Sequence, residues 1–151
     1  MRAALLLLAA CGAPCGPPHA TVARVIDGDT LVLSGGDRVR YLNIDAPETT
    51  DGHHDCYGDQ ATAFNRSLVE GRDVSLTYDD AACKDRYGRW LAWISAGGVD
   101  VNAEEVKQGY ACAYFVPPAG AARAAEFDDD QAIARTERLG LWNACNPVTC
   151  R

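Results

Sequence analysis

Five carboxylates and three guanidiniums fall in three short stretches: Asp27-Gly28-Asp29, then Arg40 with Asp45-Ala46-Pro47-Glu48, then Asp85-Arg86-Tyr87-Gly88-Arg89. In the middle stretch Leu42 and Ile44 alternate with polar residues as in a half-buried strand. Pro47 ends the ladder there, because it lacks an N–H and fixes φ. One guanidinium therefore leaves from within a strand, one carboxylate from its end and a second from the loop just beyond. A strand needs none of these charges, but phosphate chemistry assisted by a metal needs all of them. Oxygen ligands hold a hard cation, a carboxylate handles water, and guanidiniums meet phosphate oxygens. Taken singly, Asp-Gly-Asp is also an ordinary turn and Arg89 an ordinary surface residue.

The elements that must position these groups follow from the flanking pattern. Thr21 to Ile26 reads as a strand, Thr30 to Leu33 as a second and Arg38 to Asp45 as a third, with a hairpin tip at Ser34-Gly35-Gly36-Asp37. Pairing the second and third strands across that tip makes Asp29 and Asp45 neighbours. Two adjacent carboxylates repel unless a cation or proton lies between them, and Ca²⁺ suits such oxygen donors.

Further along, Ala61, Phe64, Leu68 and Val69 recur at helical spacing behind Asp59, a candidate cap, and Gly71 ends the helix. Val74 to Tyr78 is a strand, with Val74, Leu76 and Tyr78 on one face. Arg89 stands where the apolar strand from Trp90 begins. Val101 to Gln108 is a short helix, for which Asn102 is a candidate cap with Glu105 in the capping-box position. Ala111 to Val116 is extended and broken by Pro117-Pro118. Ala121 to Arg138 is the longest helix, with Asp128-Asp129-Asp130 as a solvated face, and Trp142 docks back on the body. His53 and His54 read as solvated loop residues.

The chain is of one-domain size at 151 residues, and its net charge of −7 excludes a generally basic nucleic-acid binder. Any nucleic-acid contact must be local. Seven cysteines in so short a chain indicate an oxidising compartment. No Cys-x-x-Cys pair supports the alternative, zinc. Residues 1–10 read as an export signal that is too short to span a membrane. Leu8-Ala9-Ala10-Cys11 also fits a lipobox, in which Cys11 would be lipidated and become the only membrane anchor. Residues 11–20 form a Pro/Gly-rich tether, residues 21–142 the domain and residues 143–151 a cysteine-containing tail.

The ordered set resembles the staphylococcal nuclease (thermonuclease) family. Asp27-Gly28-Asp29-Thr30, Arg40 with Asp45-Ala46-Pro47-Glu48 and Asp85-Arg86-Tyr87-Gly88-Arg89 carry the resemblance. Tyr57-Gly58, Val101-Asn102 and Gln108-Gly109-Tyr110-Ala111 extend it from about Thr21 to Trp142. The resemblance implies an α+β, mainly β fold: a five-stranded OB-fold barrel with three helices. It implies a monomeric, Ca²⁺-dependent phosphodiesterase acting on DNA and RNA without sequence preference and leaving 3′-phosphates. Asp29, Asp45 and the main-chain carbonyl of Ala46 would ligate Ca²⁺, with Asp27 behind them. Glu48 would orient or deprotonate water, and Arg40 and Arg89 would grip the scissile phosphate. Tyr87, Tyr114 and Arg86 would bind the nucleotide. It also suggests Cys112–Cys145 as a disulfide, with Cys56–Cys83 as a second guess. The acidic balance departs from the family's basic member, which implies weaker affinity and a preference for short single strands. The rival reading is a catalytically silent OB-fold module that binds nucleic acid or protein on the cell envelope. Such modules lose the acid and arginine set, and this chain keeps it.

Overall fold

The structure, a computed structural model, describes residues 15–50 and 52–148; the leader segment and Cys11 lie outside them. The chain begins with β1 (His19–Val25), β2 (Thr30–Leu33) and β3 (Arg38–Tyr41) as an antiparallel meander. A short strand β4 (Ile44–Asp45) follows, then helix α1 (Gly58–Val69), β5 (Asp73–Tyr78) and β6 (Trp90–Ala96). β5 pairs with both β1 and β6, and β6 runs parallel to β3. That last pairing closes β1, β2, β3, β6 and β5 into the five-stranded barrel of an OB-fold, with no free edge among them. β7 (Val99–Asp100) folds back on β6 before helix α2 (Val101–Lys107), and β8 (Cys112–Ala113) pairs with β4 outside the barrel. Helix α3 (Ala124–Thr136), preceded by a 3₁₀ turn, and the single turn α4 (Leu141–Ala144) complete the fold. The helices therefore number four among the described residues, where the family pattern led us to expect three; the extra one is a four-residue turn.

The expected third strand, 38–45, is in fact two strands. Asn43 takes a left-handed φ of 64°, which asparagine tolerates better than most residues, and the bend swings β4 out of the barrel to meet β8. Buried polar contacts hold that bend. Asn43 donates to Gly120 O at 2.9 Å and accepts from Trp93 Nε1 at 3.0 Å. Gly28 is fixed by close packing rather than by turn geometry: a Cβ there would meet the Cβ of Ala46 at 2.5 Å and that of Ala61 at 2.9 Å.

Two expected helix caps are replaced. Asp59 lies inside the first turn of α1, whose N-cap is Tyr57. The N-cap of α2 is Asp100, whose Oδ1 accepts from Ala103 N at 3.1 Å. Asn102 turns inward, accepting from Ile94 N at 2.9 Å and donating to Leu42 O at 2.9 Å and Ala92 O at 3.2 Å. It ties the helix to the barrel where β3 and β6 meet, and an unpaired buried carbonyl there costs more than a cap contributes.

Both guessed disulfides are also replaced. The bonds are Cys15–Cys83 and Cys56–Cys145. The first joins the segment ahead of β1 to the loop before β6, and the second joins the loop before α1 to the end of α4. Cys112 is disulfide-bonded as well.

Glu105 is the least expected core residue. It is 0% exposed, and neither carboxylate oxygen has a hydrogen-bond partner among the described residues. Burial pushes this carboxyl well above its ordinary value of 4.5, and the charges of Asp29 and Glu104 add to the rise. A folded-state pKa above the unfolded one means that stability falls as pH rises through the ordinary carboxylate range. Glu105→Gln is therefore expected to raise the denaturant midpoint at neutral pH. The gain should shrink as pH falls below about 4.5, where both states carry the proton. Paired urea titrations at pH 4 and pH 7 check this, and an equal effect at both would contradict it.

Candidate active site

The Arg40 guanidinium is the centre of the site. Its Nη1 donates to Tyr41 O at 2.8 Å and Ile44 O at 2.7 Å, so it fills the inside of the bend made by Asn43. Its Nε lies 3.1 Å from Asp29 Oδ1 and its Nη2 3.0 Å from Asp45 Oδ1. The two carboxylates are neighbours, as expected, but through the bend at Asn43 rather than through strand pairing, whose register sets Asp29 opposite Tyr41; the cation between them is Arg40. Asp29 is nearly inaccessible, and its Oδ2 accepts from Ala46 N at 2.7 Å while Thr30 Oγ1 donates to its Oδ1 at 3.0 Å. These bonds lock Asp29 to the backbone of Ala46.

Asp27 stands behind Asp29, and its Oδ1 accepts from Asp29 N at 3.0 Å. Burial, reinforced by the charge of Asp29, pushes its carboxyl up to about 7. The carbonyl of Asp27 accepts from Asn65 Nδ2 at 2.9 Å, and Asn65 Oδ1 accepts from the buried Tyr41 hydroxyl at 2.8 Å. A chain of hydrogen bonds thus runs from α1 through the barrel to the acidic corner.

Glu48 leaves from the loop after Pro47. Thr50 Oγ1 donates to its Oε2 at 3.1 Å, and Asp55 Oδ2 accepts from its backbone N–H at 3.1 Å. Arg89 comes from the turn before β6, where Asp85 holds it. Asp85 Oδ2 accepts from Arg89 Nε at 2.7 Å, and Asp85 Oδ1 accepts from the N–H groups of Tyr87 and Arg89. One carboxylate thus shapes the turn and orients the guanidinium. Arg86 Nη2 donates to the Tyr87 hydroxyl at 2.6 Å, and the Tyr87 ring is 67% exposed.

These segments enclose an open cleft of about 590 Å³. Arg40, Asp45, Glu48, Arg86, Tyr87, Arg89 and Tyr114 all line it. Asp29, Asp27 and Ala46 are not part of that lining; the bonds above tie them to Arg40 and to one another. Tyr114 is brought to the cleft by its N–H, which donates to Asn43 O at 2.8 Å. The histidines His53 and His54 are exposed and do not line the cleft.

Sequence reasoning missed Asp85 as the anchor of Arg89, although a carboxylate four residues before an arginine in a Gly-containing turn is a readable signal. It also missed Lys84 and Pro117-Pro118 in the cleft wall. Among the described residues no three His, Cys, Asp or Glu side chains converge as a ready-made metal site. The candidate ligand atoms, the Asp29 and Asp45 carboxylates and the Ala46 carbonyl, are nonetheless all oxygen, which suits a hard cation.

The chain matches the family model described as staphylococcal nuclease homologue over residues 38–144. It is 34% identical over 137 residues to the SPbeta prophage-derived endonuclease YokF of Bacillus subtilis (strain 168), covering 87% of this chain and 46% of that protein. It is 33% identical over 151 residues to endonuclease YncB of the same organism, covering 90% and 71%. It is 36% identical over 126 residues to the thermonuclease of Staphylococcus intermedius, covering 80% and 74%. The chain thus spans less than half the length of YokF and about three quarters of the thermonuclease.

The Asp85 arrangement can be tested without any assay of activity. In Asp85→Ala the turn loses both backbone hydrogen bonds and the ion pair. Amide exchange at Tyr87 and Arg89 is expected to quicken about ten- to thirtyfold, from roughly 1 kcal/mol per lost bond, while barrel amides stay protected. Unchanged exchange at these two amides would show that Asp85 does not hold the turn.

Proposed function

Because the chain belongs to the staphylococcal nuclease family, we propose that it is an exported, Ca²⁺-dependent nuclease that hydrolyses phosphodiester bonds of DNA and RNA, prefers single strands and leaves 3′-phosphates. The observation that carries this reading is the cleft itself. Two guanidiniums, Arg40 from β3 and Arg89 from the turn before β6, line it together with a carboxylate on a braced loop, Glu48, beside the Asp29–Asp45 corner.

Hydrolysis of a diester builds negative charge on the phosphorus oxygens as water attacks. Arg40 and Arg89 are held at their Nε ends by Asp29 and Asp85. The remaining N–H groups of Arg89 can donate to a phosphate as that charge develops. Glu48, steadied through Thr50 and Asp55, takes the position of the group that orients water and accepts its proton. The exposed rings of Tyr87 and Tyr114 offer faces on which a base can stack, and Arg86 sits beside Tyr87 as a further donor to the nucleotide. The family is metal-dependent. Asp29, Asp45 and the carbonyl of Ala46 would hold the ion, which when bound supplies positive charge beside the phosphate. With so few protein carboxylates its affinity is expected to be weak, Kd on the order of 10⁻⁴ M.

Export is supported by the Cys15–Cys83 and Cys56–Cys145 bonds, which persist in oxidising compartments. Extracellular Ca²⁺ could fill a weak site. Anchoring through a lipid at Cys11 and action as a monomer belong to the same proposal.

The test is incubation of the purified protein with denatured DNA, first in Ca²⁺ and then in excess chelator. Cleavage is expected only with Ca²⁺. Arg40→Ala and Arg89→Ala are each expected to lower turnover by about 10³-fold or more, and Glu48→Gln to abolish it in practice. Near-normal turnover in a variant would remove that residue from the mechanism. No cleavage by the folded wild type would leave the binding-module reading.

A further inference from the structure

β3 alternates strictly. Val39 and Tyr41 point into the core at 0% and 2% exposure, so Arg38 and Arg40 share the outer face of the barrel. Cross-strand register extends that face. Arg38 is opposite Val32 on β2, and Val32 is opposite Arg24 on β1. Val25, the next residue on its own strand, points inward, and the register shift between Val22 and Arg24 lets Val22 face the core while Arg24 faces out. On the other side of β3, Val39 pairs in parallel with Trp90, so the strand end beside Arg38 is the one that carries Arg89. Arg24, Arg38 and the catalytic pair thus lie along one continuous surface that starts in the cleft.

The spacings suit a polymer. Arg38 is two residues from Arg40, about 7 Å along the strand, and Arg24 lies two strands over, about 10 Å from Arg38. Arg24 and Arg38 are exposed and take part in no ion pair among the described residues, whereas Arg40, Arg66, Arg89 and Arg123 all do. The carboxylate that reaches β1 beside Arg24 is engaged: Glu70 accepts from Val25 N and pairs with Arg66. In a chain of net charge −7, two adjacent unneutralised cations on the face that leads out of the cleft are a local exception to the overall field.

Val32 shows how the row is built. Its register puts it on the outer face, yet it is only 8% exposed. That is expected when the aliphatic stems of two flanking arginines lie across a valine and keep their charged heads in water.

We propose that Arg24 and Arg38 form a phosphate track: they bind the backbone phosphates of a nucleic-acid strand next to the one held between Arg40 and Arg89. This rests on the nuclease reading of the cleft. The partner is a polyanion with regularly spaced phosphodiesters, and contacts to phosphate alone carry no base preference. The track gives an acidic protein a means of favouring polymers over dinucleotides. Each occupied arginine adds about 0.7 to the magnitude of the log–log salt slope for a single strand.

The test uses the full chain with Arg24→Gln and Arg38→Gln combined, because glutamine keeps part of the stem over Val32 and removes the charge. Oligothymidylates of two, six and twelve nucleotides serve as probes. Binding is followed by fluorescence anisotropy in chelator, and cleavage in Ca²⁺. In the wild type, affinity should rise with length. In the double variant, at unchanged melting temperature, that rise should shrink about tenfold, the salt slope for the twelve-mer should drop by about 1.4, and the ratio of kcat/KM for the twelve-mer over the dinucleotide should fall in parallel. Equal length dependence and equal salt slope in the two proteins would overturn the track. If the wild type cleaves no probe, the nuclease reading fails, and the binding series alone then decides for or against the track.

Discussion

The structure depends on where the Arg40 guanidinium sits. It is bonded to two backbone carbonyls of the bend at Leu42-Asn43 and to the carboxylates of Asp29 and Asp45. A bend that carries inward-facing carbonyls needs donors, and two adjacent carboxylates need a cation. One guanidinium, with its fixed fork of N–H groups, meets both needs at once, which a lysine could not do with the same geometry. It follows that the acidic corner is as much a folding element as a chemical one. β4 can leave the barrel for β8 because Arg40 satisfies the carbonyls that the departure exposes. Asp29 can be buried because Arg40, Thr30 and the Ala46 N–H share its charge.

Three buried asparagines extend this logic away from the cleft. Asn43, Asn65 and Asn102 each bond to main-chain groups that secondary structure leaves unpaired, and each ties two separate elements together. Asn43 links the bend to the segment around Gly120 and presents Tyr114 to the cleft. Asn65 links α1 to the loop at Asp27. Asn102 links α2 to the meeting of β3 and β6. Such contacts stabilise modestly when made and cost considerably when broken, so they specify one arrangement of helices on the barrel rather than adding greatly to its stability. Glu105 is the exception, a carboxyl placed in the same core without hydrogen-bond partners among the described residues. Its cost is borne by the apolar packing around it, Tyr41 and Val106 included.

The parts of this molecule that were legible in the sequence are those where chemistry overrides pattern. Asp29, Arg40, Asp45, Glu48 and Arg89 stood out because a strand or a turn does not require them, and they meet at one cleft. The barrel strands were legible because Val74, Leu76 and Tyr78, for example, alternate as a half-buried strand must. What was not legible depends on tertiary structure. The capping pattern at α2 is satisfied locally by either Asp100 or Asn102. Only the nearby carbonyls of Leu42 and Ala92 draw Asn102 inward. The left-handed turn at Asn43 was hidden because Leu42 and Ile44 alternate on either side of it as one strand would, although they are out of phase with Val39 and Tyr41. The disulfides were misread because Cys15 lies in a Pro/Gly-rich segment with no periodicity. That segment runs along the barrel beside Tyr78, whose hydroxyl donates to Pro17 O at 2.9 Å, and so reaches Cys83.

An acidic protein that binds a polyanion is contradictory only if net charge is the quantity that matters. At physiological salt the field of an exposed carboxylate is screened over about 8 Å. The exposed acids of α3, Asp128 and Asp129, line no part of the cleft. Charges inside or beside the cleft act across hydrogen-bond distances in a lower dielectric, where screening is weak. The chain has used its acids accordingly. Those near the cleft are each joined to a cation or a hydrogen-bond donor: Asp29 and Asp45 to Arg40, Asp85 to Arg89, and Glu48 to the Thr50 hydroxyl. Arg89 is thereby aimed rather than cancelled, since a carboxylate at Nε leaves the far edge of its guanidinium to donate. Local pairing of this kind lets the surface remain acidic while the cleft meets a phosphate with oriented donors. It requires that the long-range attraction a basic protein would exert be replaced by contacts made after encounter.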